Sequence, residues 1–98
     1  MSNMTYEQLF ELMNSHDPKM DGNFFALALA GEAGEYANKI KKRWRGDSVT
    51  KEALEEEIAD VIIYAVICSK VENMNLKQAI VNKLKVVEER KKNVQASS

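Results

Sequence analysis

Two pairs of acidic residues with the same spacing stand in the middle of the sequence. Glu32 and Glu35 form the first pair, and Glu57 and Asp60 form the second. On a helix, residues three positions apart project from neighbouring points of one face, so each pair would hold two carboxylates side by side. Carboxylate oxygens are the ligands that hard cations prefer. These four residues are therefore the first candidates for chemistry.

The second pair lies on an apolar helix face. Asp60 is at the edge of a stripe that falls within about 60° of Glu57 on a helical wheel. A carboxylate on such a face costs several kcal/mol unless another group compensates it. The stripe contains Leu54, Val61, Tyr64 and Cys68. The other acids of this segment point elsewhere and are predicted to be solvated: Glu52, Glu55 and Glu56.

The midpoint between the two pairs is Gly46, which lies in a predicted turn. In an antiparallel helical hairpin, residues at equal distance from the turn lie opposite each other, so the spacing predicts that the four carboxylates converge. They cannot all stay ionised in one place without cations. A set of oxygen ligands without cysteine or histidine favours Mg²⁺ first and Mn²⁺ second.

Binding of a hard cation is one of three roles that suit the acidic pairs. Salt bridges between helices remain open as the second role, either to a partner chain or to nearby lysines, which are Lys39, Lys41 and Lys42. The third role, a di-iron site in a helix bundle, would require Glu-x-x-His motifs. Neither pair contains a histidine, so a di-iron site is excluded.

A lysine stands among the apolar residues of the last predicted helix. Lys83 lies in the middle of the stripe, and Arg90 follows near the same line. Such a lysine either extends past the edge of the core into solvent or directs its charge at a phosphate beside a metal site. The scattered single glycines exclude a glycine-rich phosphate loop. The stripe itself consists of Leu76, Ala79, Ile80, Leu84 and Val87.

Four helices are predicted to position these residues. The first covers about 5–15 and ends at Asp17–Pro18, and the second begins between positions 21 and 23 and ends near 45, before Gly46. The third and fourth follow their N-cap residues, and 93–98 is predicted to be a frayed tail. The predicted N-caps are Thr5, Thr50 and Asn75.

The pattern is that of one all-α domain. A chain of 98 residues has room for one hydrophobic core. Four helices with short links predict an antiparallel four-helix bundle. The third helix is apolar all round between Ile58 and Cys68, which indicates burial on every side. A domain this small cannot supply that cover alone, so we expect a homodimer or a higher homo-oligomer.

Composition excludes several functional classes. The formal net charge of −1 argues against a nucleic-acid or membrane-surface binder, which would carry a basic excess. The most apolar stretch, 61–68, is far shorter than the about 20 residues that a membrane-spanning helix needs. A single cysteine excludes an intrachain disulfide framework, and the first ten residues lack a secretion signal. We therefore expect a cytoplasmic protein.

The segment LALAGEAGEYANKIKK, followed by EEEIADVIIYAV, resembles a known signature. It is similar to the Glu-x-x-Glu and Glu-x-x-Asp motifs of the MazG-like all-α nucleoside triphosphate pyrophosphohydrolases, a group that includes dCTP pyrophosphatases. The resemblance extends over about 23–90. It implies hydrolysis between the α- and β-phosphates, with Glu32, Glu35, Glu57 and Asp60 as magnesium ligands. It also implies that Glu32 or Glu35 positions the attacking water.

The resemblance also implies a set of substrate contacts. Tyr64 matches a tyrosine beside the bound nucleotide, and Lys83 matches a lysine that contacts the phosphates. Arg90 stands where relatives often have an arginine. Val87 departs from the pattern, because relatives often have an asparagine there.

Three more residues complete the candidate substrate contacts. Asn23 resembles a residue that relatives use near the base or sugar. Trp44 is a candidate for reaching a base or a partner subunit, and Lys39 belongs to the same predicted helix as the first acidic pair. Two alternative functions stay open: a phosphoribosyl-ATP pyrophosphohydrolase of the same superfamily, and a non-catalytic helical dimer that binds a nucleotide or a protein partner.

Overall fold

The computed structural model describes residues 3–13 and 20–97, and it is all-α over that range. Its four helices are α1, Tyr6–Leu12; α2, Gly22–Trp44; α3, Lys51–Val71; and α4, Leu76–Ser97. The predicted all-α class and the four helices are confirmed. Helix α1 ends at Leu12 with Met13 as its C-cap, which is earlier than the predicted extent to about residue 15. Asp17–Pro18 and the single histidine, His16, lie outside the described residues.

Side-chain caps explain where the helices begin. The Thr5 hydroxyl accepts from the Gln8 backbone N–H at 3.1 Å, and the Gln8 side chain accepts from the Thr5 N–H at 2.9 Å. The Thr50 hydroxyl and the Asn75 carboxamide each accept, at 3.1 Å, from the backbone N–H three residues later. The predicted N-caps are therefore confirmed. Asp21 caps α2 in the same way, by accepting from the backbone N–H of Phe24 at 3.0 Å.

The turn between α2 and α3 depends on a glycine. Gly46 has a φ of 104°, a backbone conformation that side chains with a Cβ rarely adopt. The Gly46 N–H donates to the Arg43 carbonyl at 3.1 Å, and the Asp47 N–H donates to the Lys42 carbonyl at 2.9 Å. These bonds satisfy carbonyls at the end of α2 and reverse the chain. Gly46 is thus the helix-terminating glycine that the sequence predicts.

Helices α2 and α3 form a packed hairpin, and within the described ranges no other pair of helices packs extensively. Phe25 of α2 and Val66 and Ile67 of α3 are buried. The buried Ser69 hydroxyl donates to the Val66 carbonyl at 2.7 Å. Helices α1 and α4 are joined at the surface by an ion pair between Glu7 and Lys77. The hairpin is therefore the packed part of the chain, and it positions the acidic residues.

The single chain is more extended than a closed bundle. Its radius of gyration is 16.9 Å, whereas a compact domain of this size has about 13 Å. The α4 stripe that was expected to face inward is largely exposed, with Ile80 at 43% and Leu84 at 62%. On α3, Ile58 and Ile62 are 39% and 46% exposed. The predicted burial of both helices is thus incomplete in one chain, because α4 has little surface to pack against.

Helix α4 also continues further than the sequence predicts. It is helical to Ser97, where a frayed tail was expected from Asn93 onward. The segment contains neither glycine nor proline, so nothing in it interrupts the backbone hydrogen bonds of the helix. Across the part of the chain that the structure describes, none of the helices has the length and apolar character to span a bilayer.

Candidate metal and nucleotide site

Three of the four acidic residues meet between α2 and α3. One carboxylate oxygen from each of Glu32, Glu35 and Glu57 lies within 4.8 Å of the other two. The first two project from one face of α2, and Glu57 projects from α3 across the hairpin. The turn at Gly46 brings the pairs together, since both stand at nearly equal distances from it. The convergence that the spacing predicts is found for these three residues.

Asp60 lies beside the same cluster. The pKa of Glu32 is raised above its usual range, first because burial removes water from its carboxylate. The negative charges of Asp60, Glu35 and Glu57 then raise this pKa further, and a hydrogen bond with Asp60 adds to the effect. The four acidic residues therefore share one electrostatic environment. We call them the carboxylate cluster: Glu32, Glu35, Glu57 and Asp60.

One oxygen of the cluster is left without a partner. Glu57 Oε2 is buried and accepts no hydrogen bond. A buried polar oxygen without a partner costs free energy, and a carboxylate oxygen costs more than a neutral one. A bound cation would remove both this cost and the repulsion among the carboxylates. The donor set consists of carboxylate oxygens, so the residues present fit a hard divalent ion such as Mg²⁺.

Salt bridges to nearby lysines do not account for the cluster. Over the described residues, the ion pairs are Arg45 with Asp47, at 2.9 Å, and Lys77 with Glu7. Neither involves a member of the cluster. Lys39 and Lys42 are half-buried on α2, but they form no ion pair there. Among the described residues of one chain, no lysine or arginine therefore forms an ion pair with the carboxylate cluster.

Two predicted substrate contacts lie close to the carboxylate cluster along their helices. Tyr64 is half-buried and follows Asp60 by one turn of α3. Lys39 is half-buried and follows Glu35 by one turn of α2. At a rise of about 1.5 Å per residue, each is displaced by about 6 Å along its helix axis from that acidic residue.

Asn23 and Trp44 stand at opposite ends of α2. Asn23 is exposed in the first turn, and Trp44 is the last helical residue, with 88% of its surface exposed. The helical rise separates them by about 31 Å. The two residues of one chain cannot contact the same base.

Lys83 and Arg90 are not part of the cluster in the single chain. Both are exposed on α4, which makes only slight contact with the hairpin. The raised pKa of Glu32 reflects burial and carboxylates, without a contribution from either cation. Their predicted contact with phosphates therefore needs a packing of α4 that one chain does not provide.

A cavity at the hairpin turn was not predicted from the sequence. It has a volume of about 450 Å³, and α2, the turn and the start of α3 contribute its walls. The signal was present in the cations near the end of α2, which also suit the negative end of the helix dipole. The polar lining consists of Lys39, Lys42, Arg45, Asp47, Ser48 and Thr50.

A larger cavity of about 940 Å³ lies between α1 and the α3–α4 turn. Its lining includes Glu7, Ser69, Lys70 and Lys77, and it contains no member of the carboxylate cluster. This cavity is therefore separate from the residues that could hold a cation.

Comparison with known proteins agrees with the geometry. The profile of the MazG nucleotide pyrophosphohydrolase domain matches residues 23–95, which is well over half of the chain and includes the whole carboxylate cluster. No curated protein and no solved structure matches the chain. The family supports a nucleotide pyrophosphohydrolase activity in general. By its sequence and its all-α hairpin, the chain belongs to the MazG nucleotide pyrophosphohydrolase domain family.

Proposed function

We propose that this protein hydrolyses a nucleoside triphosphate between the α- and β-phosphates, with Mg²⁺ as the cofactor and Mn²⁺ as a substitute. The products are the nucleoside monophosphate and pyrophosphate. The observation that carries the proposal is the carboxylate cluster, in which three oxygens lie within 4.8 Å and a buried Glu57 oxygen lacks a partner. Such a cluster is unfavourable by itself and becomes favourable around a cation.

The four acidic residues would hold the divalent ion: Glu32, Glu35, Glu57 and Asp60. When bound, the ion would neutralise phosphate charge and make a water molecule more acidic. The carboxylates must be ionised to bind it. Each helix contributes two of the four carboxylates, so the site depends on the register of the hairpin. The fold itself therefore sets the spacing of the ligands.

The remaining chemistry is assigned to residues of this chain. Glu32 or Glu35 orients the attacking water toward the α-phosphorus and receives its proton. The water oxygen forms the new bond to this phosphorus, and the bond to the bridging oxygen of the β-phosphate breaks. Tyr64, which is half-buried one turn beyond Asp60, would contact the nucleoside. Asn23 and Trp44 are alternative base contacts, because they stand at opposite ends of α2.

We also propose that two or more copies associate. Exposed apolar residues on α3 and α4 support this: Ile58, Ile62, Ile80 and Leu84. Burying this surface against a second copy would contribute about 25 cal/mol for each Å² of apolar area. Association would give α4 a surface to pack on, and it is the step at which Lys83 and Arg90 would approach a carboxylate cluster.

A nucleotide panel tests the activity. Purified protein is incubated with the common and oxidised ribonucleoside and deoxyribonucleoside triphosphates and with phosphoribosyl-ATP, and pyrophosphate release is measured with Mg²⁺, with Mn²⁺ and with EDTA. We expect release from at least one triphosphate, with either metal and not with EDTA. Turnover of phosphoribosyl-ATP alone would favour the biosynthetic alternative. No release from any substrate would contradict an enzymatic function and favour a binding protein.

A further inference from the structure

The cavity at the hairpin turn carries unbalanced positive charge. Three cations line it, Lys39, Lys42 and Arg45, against one carboxylate, Asp47. Arg45 Nε donates to Asp47 Oδ2 at 2.9 Å, so this pair neutralises itself. The two half-buried lysines remain, and over the described part of the chain neither forms an ion pair. The cavity is therefore suited to an anion.

The cavity lies on the turn side of the carboxylate cluster, and its walls belong to the same two helices. Lys39 and Lys42 follow Glu35 by four and seven residues on α2. They therefore lie on the same helix face, displaced from Glu35 by about 6 and 10 Å along the axis. On the opposite wall, Ala53 precedes Glu57 by one turn of α3. Cations without an ion-pair partner among the described residues thus stand one to two helical turns from carboxylates without one, on the same face of α2.

A polyphosphate bound together with a divalent cation would neutralise both the carboxylate cluster and the cavity lysines. A phosphate group at the carboxylates needs a cation between them, whereas the phosphates beyond it would meet ammonium groups directly. Ser48 and Thr50, which carry hydroxyl groups, also line the cavity. The Thr50 oxygen accepts the Ala53 N–H at 3.1 Å, which leaves its proton available for donation to an anion.

We infer that this cavity binds the β- and γ-phosphates of the substrate, and hence the pyrophosphate product, through Lys42 and Lys39. This inference rests on the proposed function and gives the substrate a direction. The α-phosphate lies at the carboxylate cluster, the leaving group lies toward Gly46, and the nucleoside lies toward the other end of the hairpin. Trp44 then stands at the phosphate end, which leaves Asn23 as the base contact of the two.

Adjacent lysines provide a matched test. Lys42→Gln is compared with Lys41→Gln, because Lys41 is exposed and does not line the cavity. For each full-length variant, KM, kcat and product inhibition by pyrophosphate and by the monophosphate are measured with Mg²⁺. Binding of inorganic pyrophosphate is also measured by calorimetry with Mg²⁺. Lys39→Gln provides a second cavity variant in case Lys42→Gln does not fold.

We expect Lys42→Gln to weaken pyrophosphate binding by about tenfold, the loss typical of one charge-assisted hydrogen bond. KM for the triphosphate should rise similarly. Inhibition by the monophosphate should not change, since that product has no β- or γ-phosphate. Lys41→Gln should resemble the unaltered protein in all four measurements. A general disturbance of the fold would instead weaken the binding of both products.

Three results would overturn the inference: no binding of pyrophosphate by the unaltered protein, equal behaviour of the two lysine variants, or equal weakening of both products. Failure of the inference and failure of the proposed function are distinguishable. If both cavity-lysine variants hydrolyse the nucleotide as well as the unaltered protein does, the phosphate subsite is wrong and the proposed activity stands. If pyrophosphate binding depends on Lys42 but no nucleotide is hydrolysed, the proposed activity is wrong and the phosphate subsite stands.

Discussion

The α2–α3 hairpin and helix α4 were both expected to bury an apolar stripe, but within one chain only the hairpin does so. Both carry apolar stripes with charged residues among them. The hairpin buries Phe25, Val66 and Ile67 within one chain and brings its acidic residues together. Helix α4 keeps most of its stripe exposed and holds Lys83 in solvent. An amphipathic pattern therefore specifies a helix and the face it will bury, but a second surface must be present for burial to follow.

The difference has a local cause in the connections. The α2–α3 turn is short and contains Gly46 at positive φ, so the two long helices leave it side by side. The cap of Thr50 fixes the start of α3 directly after that turn. In the described structure α4 has its own cap at Asn75, yet it makes only slight contact with the hairpin. The carboxylate cluster is consequently a property of the hairpin, while the contributions expected from α4 depend on association.

The largest expected effect comes from breaking the hairpin's cluster. Glu57→Gln should lower the rate of pyrophosphate release by about 100-fold or more, because it removes a proposed metal ligand. The change removes one of four mutually repelling charges, so the melting temperature in EDTA should not fall. Saturating Mg²⁺ should raise the melting temperature of the unaltered protein by about 5 °C or more, and that of the variant by less.

Glu56→Gln is the matched control, since Glu56 is exposed on the adjacent position of α3. It should leave both the rate and the magnesium-induced shift unchanged. If Glu57→Gln kept full activity, or if the two variants lost activity equally, the carboxylate cluster would not be the metal site.

An intermediate effect is expected from α4. Leu84→Asp places a charge in the exposed stripe and should convert an oligomer into a monomer, as measured by light scattering with size-exclusion chromatography. Activity should fall with the loss of the oligomer, because Lys83 and Arg90 need the assembly to approach a cluster. Lys85→Gln changes the net charge equally at a neighbouring exposed position and should keep the oligomer. A Leu84→Asp variant with unaltered mass would show that α4 is not the interface.

The smallest effect concerns the pH dependence of stability. The folded pKa of Glu32 lies above its ordinary value of 4.5. At a pH between these two pKa values, the folded state keeps a proton that the unfolded state has lost. The contribution of Glu32 to stability should therefore decrease as the pH rises from about 4.5 through the folded pKa. Urea unfolding in EDTA measures this slope. Glu32→Gln should reduce it and Glu56→Gln should not; an unchanged slope in Glu32→Gln would exclude Glu32 as its source.

The sequence was sufficient for the helix starts and for the register of the hairpin, which depend on neighbours along the chain. Caps at Thr5, Thr50 and Asn75 are hydrogen bonds over three residues, so residue type and spacing determine them. The convergence of Glu32 and Glu35 with Glu57 followed from their symmetry about Gly46, because a short antiparallel hairpin leaves little freedom of register. The end of α4 was harder to predict, since no strong stop signal separates Asn93 from Ser97.

Tertiary structure decided which charges are neutralised and which surfaces are covered. Arg45 pairs with Asp47, whereas Lys39 and Lys42 have no ion-pair partner among the described residues and line a cavity beside the carboxylates. A helical wheel shows the face on which a cation stands, but not the distance to a partner on another element. For the same reason it could place Lys83 on the inner stripe of α4 without showing that α4 packs little against its own hairpin. Helical register is local and follows from the sequence, whereas charge pairing and burial depend on how the helices pack.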